Sequence, residues 1–156
     1  MTVDSGSVTI RRARREDLPT VVGLLKVGSM KPEREVASES LPPSYLAAFA
    51  EIDADPRSLL MVAELEGAVV GTFQLTFLRY MAFQGGLTAQ IESVHVDARR
   101  RSRGIGGVML AWAIAESRRR GCHRLQLTSH KDRADAHRFY RRLGFEQSHE
   151  GMKLSL

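Results

Sequence analysis

A single cysteine, Cys122, occurs in 156 residues, which excludes an internal disulfide and any zinc site built from several thiolates. A reducing, cytoplasmic setting is the expectation that follows. The five histidines, His95, His123, His130, His137 and His149, show no metal-ligand spacing on one element, so no metal is expected. No apolar run approaches the roughly 20 residues of a membrane span. The opening MTVDSGSVTI lacks the basic and hydrophobic regions of a signal peptide. Aromatics make up only 6% of the chain, and no helix-turn-helix, finger or aromatic RNA-binding motif is present, which argues against a nucleic-acid partner.

What is there is the composition of one soluble globular domain spanning residues 1–156, with 43% hydrophobic and 26% charged residues. A domain of this length buries roughly 70% of the surface its unfolded chain exposes, so its core needs no staples. The formal charge is +5. Arginine supplies most of the positive charge, in RRARR at Arg11 to Arg15, RRRSR at Arg99 to Arg103 and RRR at Arg118 to Arg120. The first cluster reads as surface and the last as a solvated helix end, where cations suit the dipole. The middle cluster has the makings of a site for something anionic.

Periodicity divides the chain. A short strand lies about Thr9, then Asp17 caps a helix carrying Leu18, Val21, Val22 and Leu25 on one face. A polar, proline-punctuated stretch leads to a second helix from about Ser44, ended by Asp55-Pro56. Three β-rich segments, Leu59 to Leu65, Val69 to Tyr80 and Leu87 to Val96, read as an antiparallel meander. A long helix runs from Ile105 to a stop at Gly121, a strand follows at Leu125 to Thr128, and a last helix stops at Gly144. Met152, Leu154 and Leu156 alternate as a closing strand. The order is β α α β β β α β α β, an α/β (α+β) fold with one mixed sheet and helices on both faces.

The most informative segment is IESVHVDARRRSRGIGGVML, Ile91 to Leu110. A strand passes through an arginine-rich turn into Gly104-Ile105-Gly106-Gly107 and on into a helix. There the first-turn N–H groups are unpaired, glycine lets ligand oxygens approach the backbone, and the helix dipole favours anions. It is a pyrophosphate cradle without being a dinucleotide fingerprint, since Met109 stands where GxGxxG needs glycine, or a Walker loop, since no Gly-Lys-Ser/Thr follows.

Arg101-Ser102-Arg103-Gly104-Ile105-Gly106 resembles the (Gln/Arg)-x-x-Gly-x-(Gly/Ala) signature of the Gcn5-related N-acetyltransferases (GNAT), five residues beyond the strand end Val94-His95-Val96. Ala136-His137-Arg138-Phe139-Tyr140-Arg141-Arg142-Leu143-Gly144-Phe145 is similar to that family's second signature, A-x-x-F-Y-x-x-x-G-F. Two signatures in the right order on the right elements make the resemblance specific, and with the element order it covers the chain from about Thr9 to its end. Departures are Ala98 in place of a common proline, Ser102 in place of glycine, and Arg133 in place of the asparagine that often precedes the Phe-Tyr helix.

The resemblance implies the acyl-CoA N-acyltransferase fold: a mainly antiparallel sheet splayed after strand 4, with acetyl-CoA wedged in the gap as co-substrate. Its pantetheine would run beside Val94, His95 and Val96 as an added strand. Its pyrophosphate would lie on Arg101, Ser102, Arg103, Gly104, Ile105, Gly106 and Gly107. Glu92, the sole carboxylate between Glu66 and Asp97, stands where many members place the general base, the Val94 N–H would serve as a small oxyanion hole, and Tyr140 matches the phenol that protonates the departing sulfur. Their plainer readings are a solvent-facing strand carboxylate for Glu92 and core packing for Tyr140. His95 is an alternative base, but strand alternation turns it away from Glu92 and Val94 unless a bulge re-aims it.

A narrower similarity, carried by DAHRFYRRLGFEQSH (Asp135 to His149), Leu127-Thr128-Ser129 and Ile91-Glu92, is to aminoalkylphosphonate N-acetyltransferases. It implies a small primary amine bearing an anionic group as acceptor, with Arg79, His130 or Arg133 supplying a cation; the sequence leaves the oligomeric state open, a homodimer being one option. A CoA-binding regulatory module without transfer, and an acetyltransferase for a protein amine, are the competing functions.

Overall fold

The computed structural model describes residues 8–156. These divide into two compact units, residues 8–126 and 127–156, and each is described by itself.

The first unit is built on a five-stranded sheet in the spatial order β1-β2-β3-β4-β5. Its strands are β1 (Val8–Arg12), β2 (Ser58–Leu65), β3 (Ala68–Arg79), β4 (Leu87–Val96) and β5 (Arg124–Gln126). The first four pair antiparallel and β5 runs parallel to β4. The helices are α1 (Leu18–Gly28), α2 (Pro43–Ala54), a single turn α3 (Ala82–Gly85) in the β3–β4 connection, and α4 (Ile105–Arg119). The meander is as expected from the sequence, because Glu66-Gly67 and Phe83 to Gly85 supply the positive-φ backbone that tight connections require.

Strand period two sorts the core onto two faces. On one, Leu60 and Val62 of β2 pack with Val21 and Leu25 of α1 and Phe49 of α2. On the other lies α4: Trp112 meets Phe73 at 6.0 Å between ring centroids, and Met109 and Leu110 are fully buried with Phe73, Leu75 and Ile91. Each such side chain contributes about 1.5–3 kcal/mol by leaving water. Gly121 closes α4 in the left-handed region, with the Cys122 N–H donating to the Ser117 carbonyl and the Gly121 N–H to that of Arg118, a Schellman ending.

Two arginine clusters depart from the sequence expectation. Arg120 is not a solvated helix end: its guanidinium lies 4.1 Å over the Phe77 ring and donates to Glu116 and to the Pro56 carbonyl at 2.7 and 2.9 Å. Arg118 and Arg119 are exposed. Arg11 is half-buried and donates to both oxygens of Asp17, at 2.7 and 3.0 Å, and to Glu64 at 2.7 Å. Asp17 precedes α1 as expected but makes no side-chain cap to it; its carboxylate accepts instead from the Arg14 N–H at 2.7 Å.

The bond from Arg11 is the main reason the Asp17 carboxyl is held below its usual range, the Arg14 N–H adding to it and burial opposing both. A carboxyl lowered on folding stabilises the folded state fully above its unfolded value, near 3.9, and loses that contribution as pH falls through the folded value. Asp17→Asn is therefore expected to cost about 2 kcal/mol at neutral pH, less than the 3–5 of a wholly buried pair because Arg11 keeps Glu64. That is a fall in Tm of about 4–8 °C. Thermal unfolding should show the gap at pH 7 and its progressive closing as pH falls below the unfolded carboxyl value; a gap that stays constant across that range would refute the charge assignment.

The second unit contains α5 (Ala134–Arg142). It ends where expected, with the Gly144 N–H donating to Arg141 and the Phe145 N–H to Tyr140. The expected closing strand does not form. Residues 146–156 have no regular secondary structure, and Met152, Leu154 and Leu156 stand exposed. Alternation alone specifies a strand only where a partner ladder takes its N–H and C=O groups.

Candidate functional site

The sheet opens beyond the middle of β4. β5 pairs with β4 only at Thr88, Ala89 and Gln90, so from Ile91 to Val96 that edge of β4 meets no strand among the described residues. This is the splay expected after the fourth strand, and the exposed edge carries Val94, His95 and Val96, all half-buried.

The strand is also irregular there. Gln74 pairs with Glu92 and Thr72 with His95, so Ser93 and Val94 together face Phe73 alone. Ser93 has φ 55°. This is a β-bulge, and it leaves one residue's backbone groups outside the ladder. It also overturns the alternation drawn from the sequence. Residues directly paired across antiparallel strands point to the same face, and Gln74 and Thr72, two apart on β3, share one; Glu92 and His95 therefore share it too, while Val94 sits within the bulge.

Glu92 is exposed and its carboxylate is fixed by amides. The Gln90 side chain donates to it at 2.7 Å, and Gln126 on β5 donates to Gln90 at 2.7 Å. Neither glutamine was singled out from the sequence; the available signal was their spacing, with Gln90 two residues before Glu92 on one strand face. Gly28 was also missed. It is the buried last residue of α1, and a Cβ there would stand 1.9 Å from Nδ1 of His95.

Beyond β4, Asp97 accepts from the N–H and the guanidinium of Arg99, so Arg99 serves the turn. Arg101 and Arg103 are exposed and make no ion pair among the described residues. Gly104 takes φ 78° at the start of α4. The first N–H to bond inside the helix is that of Val108, to the Gly104 carbonyl at 3.1 Å. The N–H groups of Ile105, Gly106 and Gly107 precede it and are the orphan donors of a helix N-terminus. A Cβ built on Gly104 or Gly107 meets nothing within 4 Å, so both glycines border open space in which an anion's oxygens can come up to the backbone. These residues fit a pyrophosphate.

Tyr140 belongs to the second unit. It is half-buried on α5, its ring 5.3 Å from Phe139 and 5.7 Å from Phe145 between centroids. His130 and Arg133 bound one turn before α5, with the Arg133 N–H donating to the His130 carbonyl. Arg79 lies at the far end of β3, paired with Leu87, and holds the hairpin by donating to the Gly85 carbonyl at 2.8 Å. It is five residues from Gln74, about 17 Å along the strand, too far to serve a ligand at Glu92. Hollows bordered by Leu18, Pro19, Leu41 and Leu46, and by Asp55, Arg57 and Thr76, do not reach β4. No helix among the described residues is long and apolar enough to cross a membrane.

A mixed sheet opened beside β4, with an anion cradle at the next helix start, is the acyl-CoA N-acyltransferase fold expected from the resemblance, and comparison with known proteins agrees. The Acetyltransferase (GNAT) family pattern matches residues 28–145. An aminoalkylphosphonate N-acetyltransferase of Salmonella typhimurium is 31% identical over 140 residues, covering 90% of this chain and 86% of that protein. A crystal structure of a transcriptional regulator from Bacillus halodurans C-125 superposes with a TM-score of 0.92 at 43% identity, over 96% of this chain and 99% of that one. A putative acetyltransferase from Agrobacterium tumefaciens gives 0.83 at 27%, over 95% and 99%. The chain belongs to the GNAT family of acetyltransferases and is an acyltransferase.

Proposed function

We propose that the protein, acting as a single domain, transfers the acetyl group of acetyl-CoA to a small primary amine by direct attack on the thioester. The observation that carries this reading is the opened edge of β4, with its bulge, running into the glycine-lined start of α4. Acetyl-CoA supplies the activated acetyl group. Orphan N–H groups at Ile105 to Gly107, with Arg101, Ser102 and Arg103, hold its diphosphate, and the backbone of Val94 to Val96 holds its arm. The bulge makes the Val94 N–H a donor for the acetyl oxygen, stabilising the charge that develops there.

Glu92 removes the proton of the acceptor's ammonium, directly or through water, and Tyr140 protonates the departing sulfur. A phosphonate or similar anion on the acceptor is supported by the likeness to the aminoalkylphosphonate enzyme. Thiol release from acetyl-CoA against a panel of small amines, aminoalkylphosphonates first and a peptide amine as comparison, tests the reading. Release with peptide alone would shift the acceptor class, and no release with any amine would overturn it.

Gly104→Val should weaken CoA binding at least about tenfold, or about 1.4 kcal/mol. Its Cβ would fill the open space of the cradle, and a β-branched residue resists φ 78°. Gly121→Val imposes similar strain at φ 73° away from the cradle and serves as control. Calorimetry giving equal CoA affinity for the two variants would remove Gly104 from the binding site.

A further inference from the structure

We propose that His95 is the proton-carrying group between the acceptor's ammonium and Glu92, and that Gly28 is the residue that positions its ring. The inference rests on the acetyltransferase reading of the β4 face and adds to it a proton path.

Three independent observations converge on His95. The bulge at Ser93 and Val94 places it on the face of Glu92, and the two backbone positions are set by partners two residues apart on β3, about 7 Å along the strand. That spacing leaves room for an amine nitrogen or a water between the side chains. Exposure differs in the useful direction, for His95 is half-buried beside the bulge whereas Glu92 is exposed. An ammonium reaching the Val94 N–H would thus meet the imidazole first and the carboxylate on the way to solvent.

The third observation is the absence of a side chain at Gly28. The imidazole comes in over the end of α1 so closely that the ideal Cβ position of residue 28 lies 1.9, 2.5 and 2.8 Å from Nδ1, Cε1 and Cγ. No other residue type fits there with the ring where it is. Glycine at a helix end inside the helical span weakens the helix relative to alanine, and here its use is to seat the ring.

The chemistry favours this division. A model imidazole has a pKa near 6.5 and a model carboxylate near 4.3, so an imidazole is the better matched to take a proton at neutral pH. The ammonium N–H proton passes to the imidazole. The freed amine nitrogen bonds to the acetyl carbon as the carbon–sulfur bond breaks, and the sulfur takes the Tyr140 proton. The imidazolium gives its proton through Glu92 to solvent, while the nitrogen sheds its second proton as the amide forms; that proton, exchanged through solvent, restores the Tyr140 hydroxyl and returns each group to its starting state. The single turn packed against α1, Pro32–Arg34, carries Glu33 and Arg34, both exposed. α1 carries Lys26, β4 carries Glu92, β3 has no titratable side chain before Arg79, and Asp97 just beyond β4 is paired with Arg99.

The test is a set of pH–rate profiles with calorimetric CoA affinities for His95→Asn, Gly28→Ala, the double variant and Glu92→Gln. His95→Asn should lower kcat about a hundredfold or more and abolish the acidic limb of the profile, with CoA affinity unchanged. Gly28→Ala should lower kcat about ten- to a hundredfold in the wild-type background and less than twofold when His95 is already Asn, because its effect on turnover acts through the ring. Glu92→Gln should keep the acidic limb and move it to lower pH, since the imidazolium loses its neighbouring charge. An acidic limb lost in Glu92→Gln but kept in His95→Asn overturns the proposal and leaves Glu92 as the base. Equal effects of Gly28→Ala in both backgrounds would refute the positioning role. His95→Gln, with circular dichroism, guards against misfolding of the Asn variant. A wild-type protein inactive with every amine would instead signal failure of the acetyltransferase reading.

Discussion

Tyr140→Phe is expected to lower turnover about ten- to a thousandfold while leaving CoA affinity and thermal stability nearly unchanged. The magnitude is that of losing one positioned acid. The variant isolates the hydroxyl, because the Tyr140 ring packs tilted against Phe139 and edge-on to Phe145 and phenylalanine preserves both contacts. The effect should shrink with an activated thioester whose sulfur leaves readily without a proton, since the acid then has less to contribute. Steady-state turnover with acetyl-CoA and with such a donor measures the difference. A full loss shared equally by both donors would indicate damage to packing, and undiminished turnover would make Tyr140 a packing residue of α5.

The sequence made the meander and the helix ends legible because each is written locally. Leu87 to Val96 is the strand observed, and the Gly121 and Gly144 stops are where the Schellman bonds form. The bulge was not legible. Ser93 is no glycine, and ESVHV fits strict alternation as well as it fits the observed pairing; what decides is the register against Phe73, a property of two strands together. The same limitation produced the phantom strand at residues 152–156, where alternation is present and no ladder receives it. Arg11 and Arg120 were assigned to the surface by cluster composition, yet Asp17 and Glu64 in one case and Glu116 and Phe77 in the other draw them in. Long arginine stems pack while their charge finds a partner, and the partner of Arg11 at Glu64 is 53 positions away. Of the candidate site, the Gly104 cradle was readable because the helix start is local, whereas the seat of His95 on Gly28 joins positions 67 apart in sequence and needs the folded sheet.

Glu92→Gln is the other large effect expected, a fall in kcat of about a hundredfold or more at neutral pH with little change in CoA affinity. The substitution removes charge and basicity but keeps an oxygen where the Gln90 amide donates, so the hydrogen-bonded row from Gln126 through Gln90 survives. A simple primary amine has a pKa near 10, so only about one molecule in a thousand is uncharged at pH 7. Losing a group that removes the proton therefore matters most where the amine is mostly protonated. As pH approaches the acceptor's own pKa, free amine rises towards half of the total and the deficit should close. Rates of wild type and Glu92→Gln measured across that range decide the role. A deficit that converges at high pH identifies Glu92 with proton removal, a constant deficit identifies it with placing the acceptor, and no deficit leaves it a solvent-facing strand residue. Convergence is the expected outcome because the bulge at Ser93 and Val94 holds Glu92 on the same face as His95, where a proton leaving a cationic nitrogen at the opened edge of β4 passes on to a carboxylate held by Gln90, itself held by Gln126.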